Sequence, residues 1–156
     1  FKPHDIALVQ IEGPFEFTSL IQPACLPFYR NETVKPESSV VVSGWGRVDP
    51  KIEASGSHLM RTDSKVKNIS ISQCQLPIIK HVDPSSLLCI LTPPSSPCTG
   101  DSGGPITLEE YGMCMLVGVI SQGIQCGTTG KSSMQMKVSY YLDWIYQNIM
   151  DKCKTP

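Results

Sequence analysis

The chain has 156 residues, a formal net charge of −1, and thirteen Lys plus Arg against fourteen Asp plus Glu. That length suits one domain with its own core, and a near-neutral balance argues against nucleic acid or an anionic membrane surface as partner. The longest apolar runs, such as Met113–Ile120, are far too short to span a bilayer.

In chain order, Phe1-Lys2-Pro3-His4-Asp5 has neither the basic nor the apolar region of a signal peptide, so the chain reads as a processed or truncated product. Asp5–Ile11 reads as a strand, which would turn His4 and Asp5 to opposite faces. Pro23–Pro36, rich in proline, reads as a surface connector. Strand-like runs follow at Val40–Ser43, Lys65–Ile71, Leu87–Leu91, Pro105–Leu108, Met115–Ser121 and Met134–Val138. Turn-rich segments separate them: Asp49–Ser57, Asp83–Ser86, Thr92–Ser96 and Gly127–Ser133. Short strands with turn signals at this density predict an all-β barrel or sandwich. A single helix closes the chain, capped by Ser139, with Leu142, Ile145 and Ile149 at the spacing of a buried stripe.

Seven cysteines are many for this length. Neither a Cys-x-x-Cys pair nor a zinc spacing is present, so disulfides are expected and no metal or cofactor is implied. The sequons Asn31-Glu32-Thr33 and Asn68-Ile69-Ser70 point the same way, to a glycosylated, secreted, extracellular protein.

The most specific string is Cys98-Thr99-Gly100-Asp101-Ser102-Gly103-Gly104-Pro105. It sets a serine among glycines, which strip side-chain bulk from around the hydroxyl and let backbone N–H groups converge before it. The string resembles the nucleophile loop of the chymotrypsin-like (trypsin-family) serine proteases. Asp-Ile-Ala-Leu at Asp5–Leu8, Gly44-Trp45-Gly46 and Pro23-Ala24-Cys25-Leu26-Pro27 carry the same resemblance across nearly the whole chain.

The resemblance implies a chymotrypsin-like antiparallel β-barrel with a C-terminal helix. Residues 1–24 would be a remnant of the N-terminal barrel, 25–36 the inter-barrel connector and 37–156 the C-terminal barrel. Ser102 would be the nucleophile and Asp5 the triad acid, and the N–H groups of Gly100 and Ser102 would form the oxyanion hole. Asp101 would pair with the N-terminal amine released when a zymogen is cut. The family's histidine precedes the Asp by a few tens of residues, so His4, His58 and His81 do not match it. The base is therefore expected from a segment outside this chain, and the chain alone is expected to be inactive.

Ser96 would floor the primary specificity pocket, with Ser121, Gln122, Gly123 and Ser133 as its walls. An uncharged floor disfavours Arg or Lys in the substrate and favours an apolar side chain. Cys74–Cys89 and Cys98–Cys126 are the disulfides the resemblance implies, and Cys25 matches the position that links to a cut-off propeptide chain. Cys114 matches a cysteine whose partner is replaced here by Val40, and Cys153 has no common counterpart. The function implied is secreted serine endopeptidase action through an acyl-enzyme, with a peptide or protein substrate, the missing protease segment and protein inhibitors as partners. The alternative is a non-catalytic homologue that binds or regulates.

Overall fold

The computed structural model describes residues 3–29, 34–49, 51, 56–68, 74, 82–91, 97–122 and 130–153, of which 122 and 151–153 are described as backbone only. Six strands form one antiparallel sheet: β1 (Ser39–Gly44), β2 (Met60–Lys65), β3 (Leu87–Leu91), β4 (Pro105–Glu110), β5 (Met113–Gln122) and β6 (Ser132–Lys137). Their order across the sheet is β2-β1-β4-β5-β6-β3. The two outer strands curl toward one another. Val66 bridges Ile90, Lys67 N–H donates to the Cys89 carbonyl over 2.9 Å, and the Ser64 hydroxyl donates to the Leu91 carbonyl. The result is the mostly-β, barrel-like architecture expected, followed by the helix α1 (Leu142–Cys153).

Two apolar clusters lie on opposite faces of this sheet. Val40, Val42, Leu88, Ile90, Ile106, Val117 and Ile120 fill the inside together with Val66. Leu87, Cys89, Met134, Met136, Val138, Tyr141 and Ile145 pack outside, between the sheet and the helix. β3 alternates between the two, Leu88 and Ile90 one way and Leu87 and Cys89 the other, as a strand's two-residue period requires. In β5 that period breaks. The register against β4 shifts between Ile106 and Thr107, so one extra β5 residue is accommodated. Val117 and Ile120, three apart, thereby share the inner face.

Several expectations need correction. Residues 5–11 form no strand. They run irregular and mostly exposed, because no neighbouring strand among the described residues accepts their backbone hydrogen bonds. His4 sits in a turn at φ 58°, so the opposite-faces argument for His4 and Asp5 does not apply. The strand expected at Lys65–Ile71 lies earlier, at Met60–Lys65, and residues 69–71 fall outside the described set. Ser139 is no helix cap. It is buried inside a 3₁₀ turn, Val138–Tyr141, that leads into α1. Leu142 and Ile145 are buried, but Ile149 is 44% exposed, so the buried stripe covers less than two turns.

Cys25 is tied to the sheet rather than drifting over its surface. Its N–H donates to the Cys114 carbonyl and its carbonyl accepts from Leu116 N–H, both over 2.8 Å. Pro27, two residues on, is buried. The β1–β4 register, Val41 to Thr107 and Val42 to Ile106, carries Val40 toward Leu108. Cys114 lies on the next strand, opposite Glu109 and exposed, so Val40 does not stand in the place of its partner.

Candidate functional site

The serine loop is built by turns that only glycine accommodates. Gly100 has φ +100° and Gly103 φ +84°, both in the left-handed region. Asp101 N–H donates to the Cys98 carbonyl over 3.0 Å, and Gly104 N–H to the Asp101 carbonyl over 2.9 Å. These bonds double the chain back on either side of Ser102, whose side chain is exposed at the tip. Among the described residues the Ser102 hydroxyl has no hydrogen-bond partner, and neither Gly100 N–H nor Ser102 N–H is engaged.

Asp101 holds the loop from beneath. One carboxylate oxygen accepts Gly46 N–H over 2.7 Å and the other accepts Cys98 N–H over 2.8 Å. A Cβ on either Gly44 or Gly46 would fall within the Asp101 carboxylate. The Gly-Trp-Gly string is thus glycine on both sides because β1 ends against this acid. The Arg47 N–H to Thr99 carbonyl bond, 3.0 Å, adds a second tie between the same segments.

A second set of bonds links the loop to Asp5. Gly103 N–H donates to the Ile120 carbonyl over 2.7 Å, and Ile120 N–H to the Gly104 carbonyl over 2.9 Å. The next residue, Ser121, is buried, and its hydroxyl donates to Asp5 Oδ2 over 2.7 Å. Asp5, 97 residues before Ser102 in sequence, therefore meets the end of β5 beside the serine loop. Beyond Ser121 the network continues. Gln135 Oε1 accepts Ser121 N–H over 2.8 Å, and Gln135 Nε2 donates to Ser133 Oγ over 2.9 Å. Gln135 is 1% exposed. No motif marks it in the sequence, although the alternation Met134-Gln135-Met136-Lys137 sets polar side chains on one face of this part of β6.

The histidines do not join this network. The His4 ring nitrogen lies 3.2 Å from the Tyr141 hydroxyl, with the two rings edge to face at 5.9 Å. His58 pairs with its neighbour Ser57 on an exposed turn. His81 lies outside the described residues, as do Ser96, Gly123, Cys126 and Asn31, and of Gln122 only the backbone is described. Asn68 is exposed. Cys74 and Cys89 form a disulfide, and Cys98 is also disulfide-bonded. Cys25 and Cys114 are unpaired thiols. No cluster of metal-ligating side chains occurs among the described residues, and no described helix is long and apolar enough to cross a membrane.

Residues 2–145 match the profile of the family described as Trypsin. Vitamin K-dependent protein C of Mus musculus is 31% identical over 96% of this chain and 34% of its own length. Hepatocyte growth factor activator serine protease of Mus musculus is 30% identical, over 96% of this chain and 24% of its own. Phenoloxidase-activating factor 1 of Holotrichia diomphalia is 35% identical, over 94% and 40%. The chain thus spans between a quarter and two-fifths of the length of these relatives. A glycine-turned serine loop braced by a buried-side acid, on a curled antiparallel sheet that one family profile matches almost from end to end, makes this chain a member of the trypsin family of serine proteases.

Proposed function

We propose that the protein is a secreted serine endopeptidase that works through an acyl-enzyme. Ser102 is its nucleophile, and Asp5 is the acid that orients and stabilises a histidine supplied from outside this chain. The observation that carries this reading is the bonded path from Asp5 through Ser121 and Ile120 to Gly103. It brings Asp5 beside the serine loop without any local sequence relation, which supports the role of triad acid. The unengaged N–H groups of Gly100 and Ser102 suit a developing oxyanion, and such donors contribute about 3–4 kcal/mol to acyl transfer. The reaction needs a base. A histidine takes the Ser102 proton as the hydroxyl oxygen attacks the scissile carbonyl, then returns it to the leaving amine.

None of the three histidines of the chain fits that role: two are engaged elsewhere and the third, His81, matches no family position. The missing protease segment is therefore a partner of this chain, and Cys25, unpaired on the connector, is a candidate for a covalent link to a cut-off propeptide. Asp101 would take the amine of a cleaved zymogen in addition to its two backbone donors. Ser96, Ser121, Gln122, Gly123 and Ser133 would form an uncharged substrate pocket, Cys98 would bridge Cys126, and Asn31 and Asn68 would carry glycans. Protein inhibitors would occupy the same cleft.

A fluorophosphonate probe tests the proposal, because it reacts only with an activated serine. The full-length activated protein is expected to be labelled, and Ser102→Ala to abolish labelling. The 156 residues alone are expected to stay unlabelled. One observation favours the second reading, a non-catalytic homologue. Gln135 and Ser133 satisfy one another where a substrate side chain would enter. Absence of labelling in the full-length activated protein would decide for that reading.

A further inference from the structure

The inner face of β6 carries three buried polar side chains: Ser133, Gln135 and Lys137. The first two satisfy each other. Lys137 is 6% exposed and has no hydrogen-bond or ion-pair partner among the described residues. Charged side chains are buried this deeply only when paired, since an uncompensated ammonium in an apolar setting costs several kcal/mol (about that much after relaxation).

What Lys137 borders is a cavity of about 220 Å³. Leu108, Met115 and Val117 give it apolar walls, and the exposed Lys35 and Glu110 stand at its mouth. It lies at the far end of β4, β5 and β6 from the serine loop. That loop joins the start of β4 to the end of β5, whereas the cavity is lined by the end of β4, the start of β5 and the end of β6. The volume equals that of roughly seven liquid waters, enough for a short aliphatic chain with a head group.

We propose that this cavity is a binding site for a small monocarboxylate, its carboxylate paired with Lys137 and its aliphatic tail against Leu108, Met115 and Val117. An anion is the occupant because, among the described residues that line the cavity, the one buried polar side chain without a partner is a cation. A single carboxylate fits better than a phosphate, because Lys137 is the one buried cation lining the cavity and Ser139, the other buried polar side chain there, already has a partner. Lys35 at the mouth favours entry of an anion. Glu110 opposes it, but its exposed side chain makes no ion pair with Lys137. The site is separate from the proposed catalytic one and stands or falls independently of it.

Hexanoate is the probe, with hexan-1-ol as the uncharged match, titrated into the full-length protein. Calorimetry is expected to show saturable binding of hexanoate and none of hexan-1-ol. Lys137→Met keeps most of the apolar stem and is expected to weaken hexanoate about tenfold or more, the worth of one charge-assisted bond. Glu110→Gln is expected to bind hexanoate as well or better. If Lys137→Met fails to fold, carbon-13 methionine labelling serves in its place: the Met115 methyl signal should move with hexanoate while that of Met60 stays. Failure of hexanoate to saturate, equal binding by Lys137→Met, equal binding of the alcohol, or a Met115 signal that does not move would each overturn the proposal. Fluorophosphonate labelling of Ser102 should be unaffected by hexanoate, and competition between the two would place the ligand in the catalytic cleft instead.

Discussion

Gly46 shows how one absent methyl group shapes the candidate site. Its N–H reaches Asp101 at 2.7 Å only because nothing projects from its Cα. Gly46→Ala would drive a Cβ into the carboxylate, and overpacking of this kind costs about 1–3 kcal/mol. The expected outcome is a lower urea midpoint together with loss of fluorophosphonate labelling in the full-length activated protein, since the displaced acid sits directly before Ser102. Lys137 makes a different prediction. Burial lowers its pKa below the ordinary 10.5, so the unfolded chain holds this proton to higher pH than the folded one. Stability therefore rises with pH between the folded pKa and 10.5, and below that window the cost of the buried charge is fully present. Lys35, Glu110 and Tyr111 line the same cavity, and Tyr141, whose phenol burial pushes up, acts in the opposite sense at alkaline pH. All four remain in Lys137→Met, so the difference between variant and parent isolates the lysine. The variant is expected to be more stable at pH 7, with an advantage that shrinks toward pH 10.5 in urea unfolding. Of these two residues only the neighbourhood of the first was legible in the sequence. Gly-Trp-Gly could be recognised as a motif, but its reason, an acid 55 residues away, needs the fold. Lys137 at the end of an alternating run reads as a solvent-facing charge, because burial on both faces is a property of the closed sheet and not of the run.

At the scale of the element, β6 is the informative strand. All six residues are buried, the methionines against the helix side and Ser133, Gln135 and Lys137 toward the inside. Gln135→Leu keeps the volume but removes the carbonyl that accepts Ser121 N–H. A buried donor left unsatisfied costs about 1–3 kcal/mol, so a drop of that size in unfolding free energy is expected from denaturant titration. The strands β1, β3, β4, β5 and β6 were all readable, because β-branched and apolar runs stood between clear turn signals. β2, Met60-Arg61-Thr62-Asp63-Ser64-Lys65, was not. Its composition is polar, and it is a strand because six β1 residues pair with it in register. Residues 5–11 are the converse. Their pattern suits a strand, but pattern without a hydrogen-bonding neighbour yields none. Ser139 fails as a cap for a related reason. The chain enters α1 through a 3₁₀ turn, which moves the start of the helix two residues on.

For the molecule as a whole, the sheet curls until its rims touch, but residues 7–24 stay uncovered. Val9 is 86% exposed, Leu20 93% and Phe15 64%, and Phe15 stacks only on Phe17. So much uncovered apolar surface favours association. The chain expressed by itself is expected to self-associate at micromolar concentration in sedimentation velocity. Replacing Val9, Phe15 and Leu20 with serine should shift it toward monomer with an unchanged far-ultraviolet spectrum. How the meeting of β2 and β3 at Val66 and Ile90 bears on this is specific. The rims are pinned near this bridge and leave the rest of β2 as an edge, along which the exposed charges of Arg61, Asp63 and Lys65 oppose strand addition by a second copy. Assemblies of this chain should therefore be amorphous and detergent-reversible, without thioflavin fluorescence and without the lag and seeding that mark templated fibril growth.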